Sequence, residues 1–137
     1  MFCSDRKVLM KKNDEAIEHY HTLNPKSLPF TYLVRLDMRL YQPLEENEKD
    51  QLIELWLGRQ GKISDPQRLR LTFYGAQFAK PRLLYPGMNL YIDIISIRER
   101  QWSGLHYVLM ELEDTSELLY CRNFETKIED LYLDSLI

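Results

Sequence analysis

The sequence is poor in the residues that usually carry chemistry. Its 137 positions hold two cysteines and three histidines. Cys3 and Cys121 lie at opposite ends with no CxxC spacing, which argues against a paired-cysteine zinc site and reads as a reduced pair in the cytoplasm. His19 and His21 flank Tyr20 in a segment that reads as helical, where they diverge by roughly 200°. The only other imidazole is His106, so no metal site is expected. The five glycines form no phosphate-cradling loop, and neither GxSxG nor HExxH occurs. No cofactor, no catalytic residue and no enzyme activity are therefore expected. No apolar run follows the start Met-Phe-Cys-Ser-Asp-Arg-Lys or reaches membrane-spanning length, so the expected setting is cytoplasmic, with no membrane partner. Positive charge is not in excess either. Eighteen Lys and Arg against twenty-one Asp and Glu leave −3, which argues against binding nucleic acid through its phosphates.

What the chain does have is aromatic and β-branched residues in alternation. Nine Tyr, five Phe and two Trp suit sheets and binding surfaces alike. The organising stretch is Arg68 to Glu113. There, Leu69, Leu71 and Phe73 alternate with Arg68, Arg70 and Thr72; Leu90 to Ile97 is almost wholly apolar; and Val108, Met110 and Leu112 share a face. Period two predicts three strands. Phe30 to Tyr41 is a further strand, with Val34, Leu36, Met38 and Leu40 opposite Arg35, Asp37 and Arg39. Gln51 to Gly58 fits a strand or a helix closed by Gly58; the strand is preferred because it makes a simple hairpin with its predecessor. Leu118 to Arg122 is the last full strand, and Phe124 to Ile137 reads as a short strand or helical turn over an open edge. Ser4 to His21 is the helix candidate, beginning at Ser4 or only at Asn13 and ended by Asn24-Pro25. Short links favour neighbour pairing. The expected fold is one α+β domain over 1–137: an N-terminal helical segment, 1–29, and a mostly antiparallel meander of five to six strands, 30–137.

Two surface features suit a partner. One is acidic, comprising Glu45, Glu46, Glu48 and Asp50, then Glu111, Glu113, Asp114 and Glu117, then Glu129, Asp130 and Asp134, with Glu45, Glu46, Glu48, Glu111, Glu113 and Asp114 the candidate contacts. The other is the loop with Arg98, Arg100 and Trp102. Trp56 joins them as a candidate anchor, since Trp, Tyr and Arg dominate interface energetics. The ordinary reading of such charge is a solvated face. Asp93 alone breaks its apolar strand, and its ordinary reading is a solvent-facing acid or a cross-strand pair with an arginine such as Arg68 or Arg70. Cys121 reads as a core cysteine. If Asp93, His106 and Cys121 converged on one cavity, a small enzyme or ligand-binding domain would be the alternative. A second alternative is a phage or plasmid inhibitor, or a subunit of a larger complex. An exposed sheet edge, or the Trp56 and Trp102 regions, would also suit a homodimer.

The strand order resembles the immunity protein 50 family of bacterial polymorphic toxin systems. The resemblance rests on the opening strand Leu33 to Leu40, the run Leu69-Arg70-Leu71-Thr72-Phe73-Tyr74-Gly75-Ala76, and Leu118-Leu119-Tyr120-Cys121-Arg122. It covers about Phe30 to Ile128, leaving the N-terminal helical segment outside. It implies a non-catalytic protein that binds and neutralises a cognate toxin. An acidic face would suit a basic toxin or enzyme domain by steering their encounter.

Overall fold

Alternating apolar residues can bury only one face of a strand, so these strands need a second layer. The computed structural model, which describes residues 15–41, 50–59, 66–79 and 84–130, supplies it as a second sheet. Among the described residues, one α-helix, α1 (Glu15–Leu23), precedes eight strands: β1 (Tyr32–Tyr41), β2 (Asp50–Gly58), β3 (Gln67–Tyr74), β4 (Gln77–Phe78), β5 (Ile92–Ser96), β6 (Tyr107–Glu111), β7 (Ser116–Cys121) and β8 (Asn123–Asp130). The first sheet has the order β1-β2-β3-β8 and the second β4-β7-β6-β5. All pairings are antiparallel. The fold is α+β as expected, with two sheets in place of one and eight strands in place of five or six.

The extra strands arise at a corner. β3 continues through Gly75 into β4, and β7 continues through Arg122 into β8. The pairs β3·β8 and β4·β7 thus form one antiparallel ribbon bent between the sheets, with Arg122 N donating to Tyr74 O at 2.9 Å at the bend. The described part of the segment expected to be a short closing element belongs to a full strand, β8, paired with β3 along its length, while residues 131–137 lie outside the described residues. Gly75 turns the corner at φ +60°, and a Cβ there would lie 3.2 Å from the Cβ of Arg122. Gly75→Ala is expected to cost about 1–2 kcal/mol through its left-handed backbone. Urea unfolding should show a lower midpoint at unchanged slope.

The core lies between the sheets. Ile53, Leu55 and Leu57 of β2 and Leu69, Leu71 and Phe73 of β3 face Ile92, Ile94, Leu109 and Leu119. Phe124 of β8 packs edge-on against Tyr107 of β6 at 4.9 Å between centroids, joining the two layers. Gln51 to Gly58 is strand, as preferred. In β6 the packed face differs from the expected one. Tyr107 and Leu109 enter the core, whereas Val108 is buried outside the main cluster, Met110 is half-buried and Leu112 is exposed. A bulge in the β6·β7 pairing lets consecutive Leu118 and Leu119 both be buried.

α1 bridges the sheets. Tyr20 is buried and donates its hydroxyl to Ile92 O of β5 at 2.8 Å. Burial is the main reason its pKa rises to about 12, with the nearby Asp93 charge adding to it. The flanking histidines diverge as helical geometry requires. His19 Nε2 lies 3.2 Å from Thr126 O on β8, and His21 Nε2 lies 2.7 Å from Asp93 Oδ1 on β5. Asn24 ends the helix by donating to Tyr20 Oη at 3.0 Å while accepting Phe30 N–H at 2.7 Å.

Candidate partner-binding surface

Residues opposed across an antiparallel sheet share a face, so the register spells out the outer surface of the first sheet. One row reads Arg35, Trp56, Arg70, Lys127 and the next Asp37, Glu54, Thr72, Glu125. Glu54 faces outward yet is only 2% exposed. Its neighbours satisfy it. Arg39 Nη2 donates to Oε1 at 2.9 Å, Arg70 Nε to Oε2 at 2.7 Å and the Thr72 hydroxyl to Oε2 at 3.2 Å; Arg70 Nη2 also pairs with it closely. The same Arg70 donates through Nη1 to Glu129 Oε1 at 2.8 Å. Desolvation alone would lower the Arg70 pKa; the hydrogen bonds and charges of Glu54 and Glu129 outweigh it and hold the pKa above its ordinary value.

Trp56 is built into this network. Its indole N–H donates to Glu129 Oε2 at 3.1 Å. The Arg35 and Arg70 guanidinium carbons lie 4.7 and 5.2 Å from its ring centroid. The ring is thus fixed before any partner arrives while remaining half-exposed. Beside it, a cleft of about 200 Å³ opens between Arg39, Leu52, Tyr74 and Lys127.

The other sequence candidates are placed differently. Arg98 and Arg100 form a 3-10 turn after β5, and the loop carrying Trp102 folds back over the second sheet. Trp102 stacks edge-on against Tyr120 at 5.1 Å, and Arg100 lies 5.0 Å from the Trp102 ring. Arg100 also makes two hydrogen bonds to Glu117, at 3.2 and 2.8 Å, which hold its pKa above its ordinary value. Arg98 Nη2 donates to the Tyr107 hydroxyl at 3.4 Å. Glu45, Glu46 and Glu48 lie outside the described residues. Glu111 is not a surface acid. It is 4% exposed and accepts the backbone N–H groups of Glu113 and Asp114 at 3.0 and 3.4 Å, building the β6–β7 turn. Glu113 and Asp114 are exposed on that turn.

Asp93, His106 and Cys121 do not converge. Asp93 pairs with His21 rather than with Arg68 or Arg70, because it lies on the other sheet. It lines a cleft of about 410 Å³ with Tyr20, His21, Phe30 and Tyr91, which includes neither His106 nor Cys121. His106 Nδ1 lies 3.1 Å from Arg122 O. Cys121 is 1% exposed, and burial pushes its thiol up to about 12, the opposite of an activated nucleophile. In a Cys3→Ser chain, Cys121 is expected to resist iodoacetamide at pH 8 until denaturant is added, as read by intact mass.

The sequence offers Trp56 as a candidate anchor, but not the side chains that hold its ring. Glu54 was visible as a polar residue in an apolar run, and only the β2·β3 register joins it to Arg70. The family model described as Immunity protein PIM8 matches residues 12–127. No curated protein and no solved structure matches the chain. The strand-order resemblance and this match agree on the class, an immunity protein; the family shown is PIM8.

Proposed function

We propose that this chain, which belongs to the immunity protein PIM8 family, neutralises a toxin without catalysis, by covering it with the outer face of its first sheet. Trp56 is the central anchor, flanked by Arg35, Arg70 and Lys127. The observation that carries this reading is the network that holds Trp56 and Arg70 in place from beneath, through Glu54 and Glu129. Side chains already ordered lose little freedom on binding, so preorganised Trp and Arg suit interface anchors.

The face carries both signs of charge. It fits a toxin surface with carboxylates over the Arg35–Lys127 row and basic groups towards Asp37 and Glu125, rather than a uniformly basic one. Glu113 and Asp114, together with the chain's net −3, would add steering for a basic toxin. Among the described residues no helix is long and apolar enough to cross a membrane. A cytoplasmic encounter fits the unpaired thiol of Cys121.

The test begins with a tagged chain retrieved from its native cell, its bound proteins identified by mass spectrometry. One stoichiometric partner whose expression alone arrests growth is expected. Retrieval and rescue of growth should fail with Trp56→Ala and persist with Trp102→Ala. The reverse outcome would move the interface to the β5–β6 loop and its neighbouring turn.

A further inference from the structure

β1 lies at the edge of the first sheet, and among the described residues its outer edge is only partly used. Near its start, Leu33 N donates to Met88 O at 2.9 Å and Gly87 N donates to Leu33 O at 2.8 Å, so segment 87–90 covers that part. A bulge at Val34 follows. From Leu36 onward, no strand among the described residues pairs with the outer edge. Here the core-phase residues Met38 and Leu40 are 48% and 66% exposed, and the β2 residue beside Met38, Ile53, is fully buried. A long edge strand with exposed apolar side chains is a template for strand pairing.

We propose that this edge pairs with its own copy, β1 against β1 about a two-fold axis at Met38, joining two four-stranded sheets into one of eight. The strand is complementary to itself in that register. Opposed residues share a face, so Leu36 meets Leu40 of the second copy, Met38 meets Met38, and Leu40 meets Leu36, all on the apolar side. On the other side Asp37 meets Arg39, and Arg39 meets Asp37, so each copy supplies both signs. Neighbouring registers fail. An axis at Asp37 sets Asp37 against Asp37 and Arg35 against Arg39. An axis at Leu36 runs the second copy onto Leu33, whose edge Met88 already occupies.

The side chains are placed to answer. Asp37 is 39% exposed and ion-paired with the 63% exposed Arg35 at 2.7 Å, so it can be shared with or passed to the second copy, and Arg39 is 63% exposed with its contact to Glu54. Glu54 keeps Arg70 and Thr72 if Arg39 turns to the second copy. A two-fold strand pairing is isologous and closes on itself, so it yields a dimer and not a filament. It also leaves Trp56 on the open face of the joined sheet and draws on Asp37 at the rim of that face, so mass and crosslinking, not toxin binding, separate this proposal from the toxin-binding reading.

The experiment combines mass with register. Light scattering on the purified full chain, across a concentration series, should give twice the 16.5 kDa chain mass. Asp37→Arg places arginines opposite each other twice and should raise the dimer dissociation constant by about tenfold or more. In a Cys3→Ser background, Met38→Cys should form an intermolecular disulfide, because opposed Cα atoms about 4.5–5.5 Å apart lie within disulfide reach. Leu36→Cys and Leu40→Cys should each stay uncrosslinked alone and crosslink when mixed. A monomer at every concentration overturns the proposal. So does a dimer that Asp37→Arg leaves intact, or one in which Met38→Cys does not crosslink.

Discussion

Glu54→Ala is expected to lower the unfolding free energy by about 3 kcal/mol, within the range for breaking a buried ion pair by removing one partner. The cost comes less from the lost attraction than from what stays behind. The carboxylate is almost fully enclosed, so its removal leaves a gap under Arg70 and strands donors of Arg70 and Thr72. Partial exposure moderates the loss, since the Arg39 and Arg70 side chains are 63% and 30% exposed and water can reach both. Glu54→Gln is the sharper comparison. It keeps the volume and one acceptor oxygen, so it should cost less than the alanine variant. Chemical denaturation of the three proteins checks the order wild type, Gln, Ala. An alanine variant as stable as wild type would show that the arginines find equivalent partners, and that this network does not hold the face in shape.

Trp56→Ala carries the largest expected functional effect. If the ring anchors the toxin, truncation should weaken binding by at least about 2 kcal/mol, roughly thirtyfold. Its effect on folding should be smaller, because the ring is only half-buried and lies outside the core cluster. Trp56→Phe separates two contributions. It keeps an aromatic face for Arg35 and Arg70 but removes the N–H held by Glu129, so an intermediate loss is expected. Titration calorimetry with the retrieved toxin domain measures all three. Trp102→Ala is the internal control, since that ring rests on Tyr120 at the other sheet and should change affinity by less than about fivefold. Equal losses at both positions would mean a partner large enough to span both sheets.

The two charge patterns behind these expectations were not equally readable. Glu113 and Asp114 stand on an exposed turn as an acidic stretch suggests, whereas Glu111, two residues earlier, bends inward to build that turn. Composition sees three acids; backbone hydrogen bonding separates one from the other two. Asp93 shows the same limit. Its need for a partner was legible in the apolar strand around it, but the choice of His21 over an arginine depended on which sheet its strand joined.

By itself the sequence determined most of the strands and the helix around Tyr20, but neither β4 nor the full length of β8. The side-chain period of two is local, and the proline after Asn24 restricts the backbone next to it wherever the chain goes. It also determined that Cys121 would be core and that His19 and His21 would part company. Only the tertiary structure decided that the sheet is two sheets, because the bend at Gly75 and Arg122 is a property of two paired strands turning together. It alone brought Glu54, Arg70 and Glu129, from three strands, beneath one tryptophan. Register is set by contacts between segments far apart in the chain, and one sequence records each segment's faces without recording which neighbour meets them.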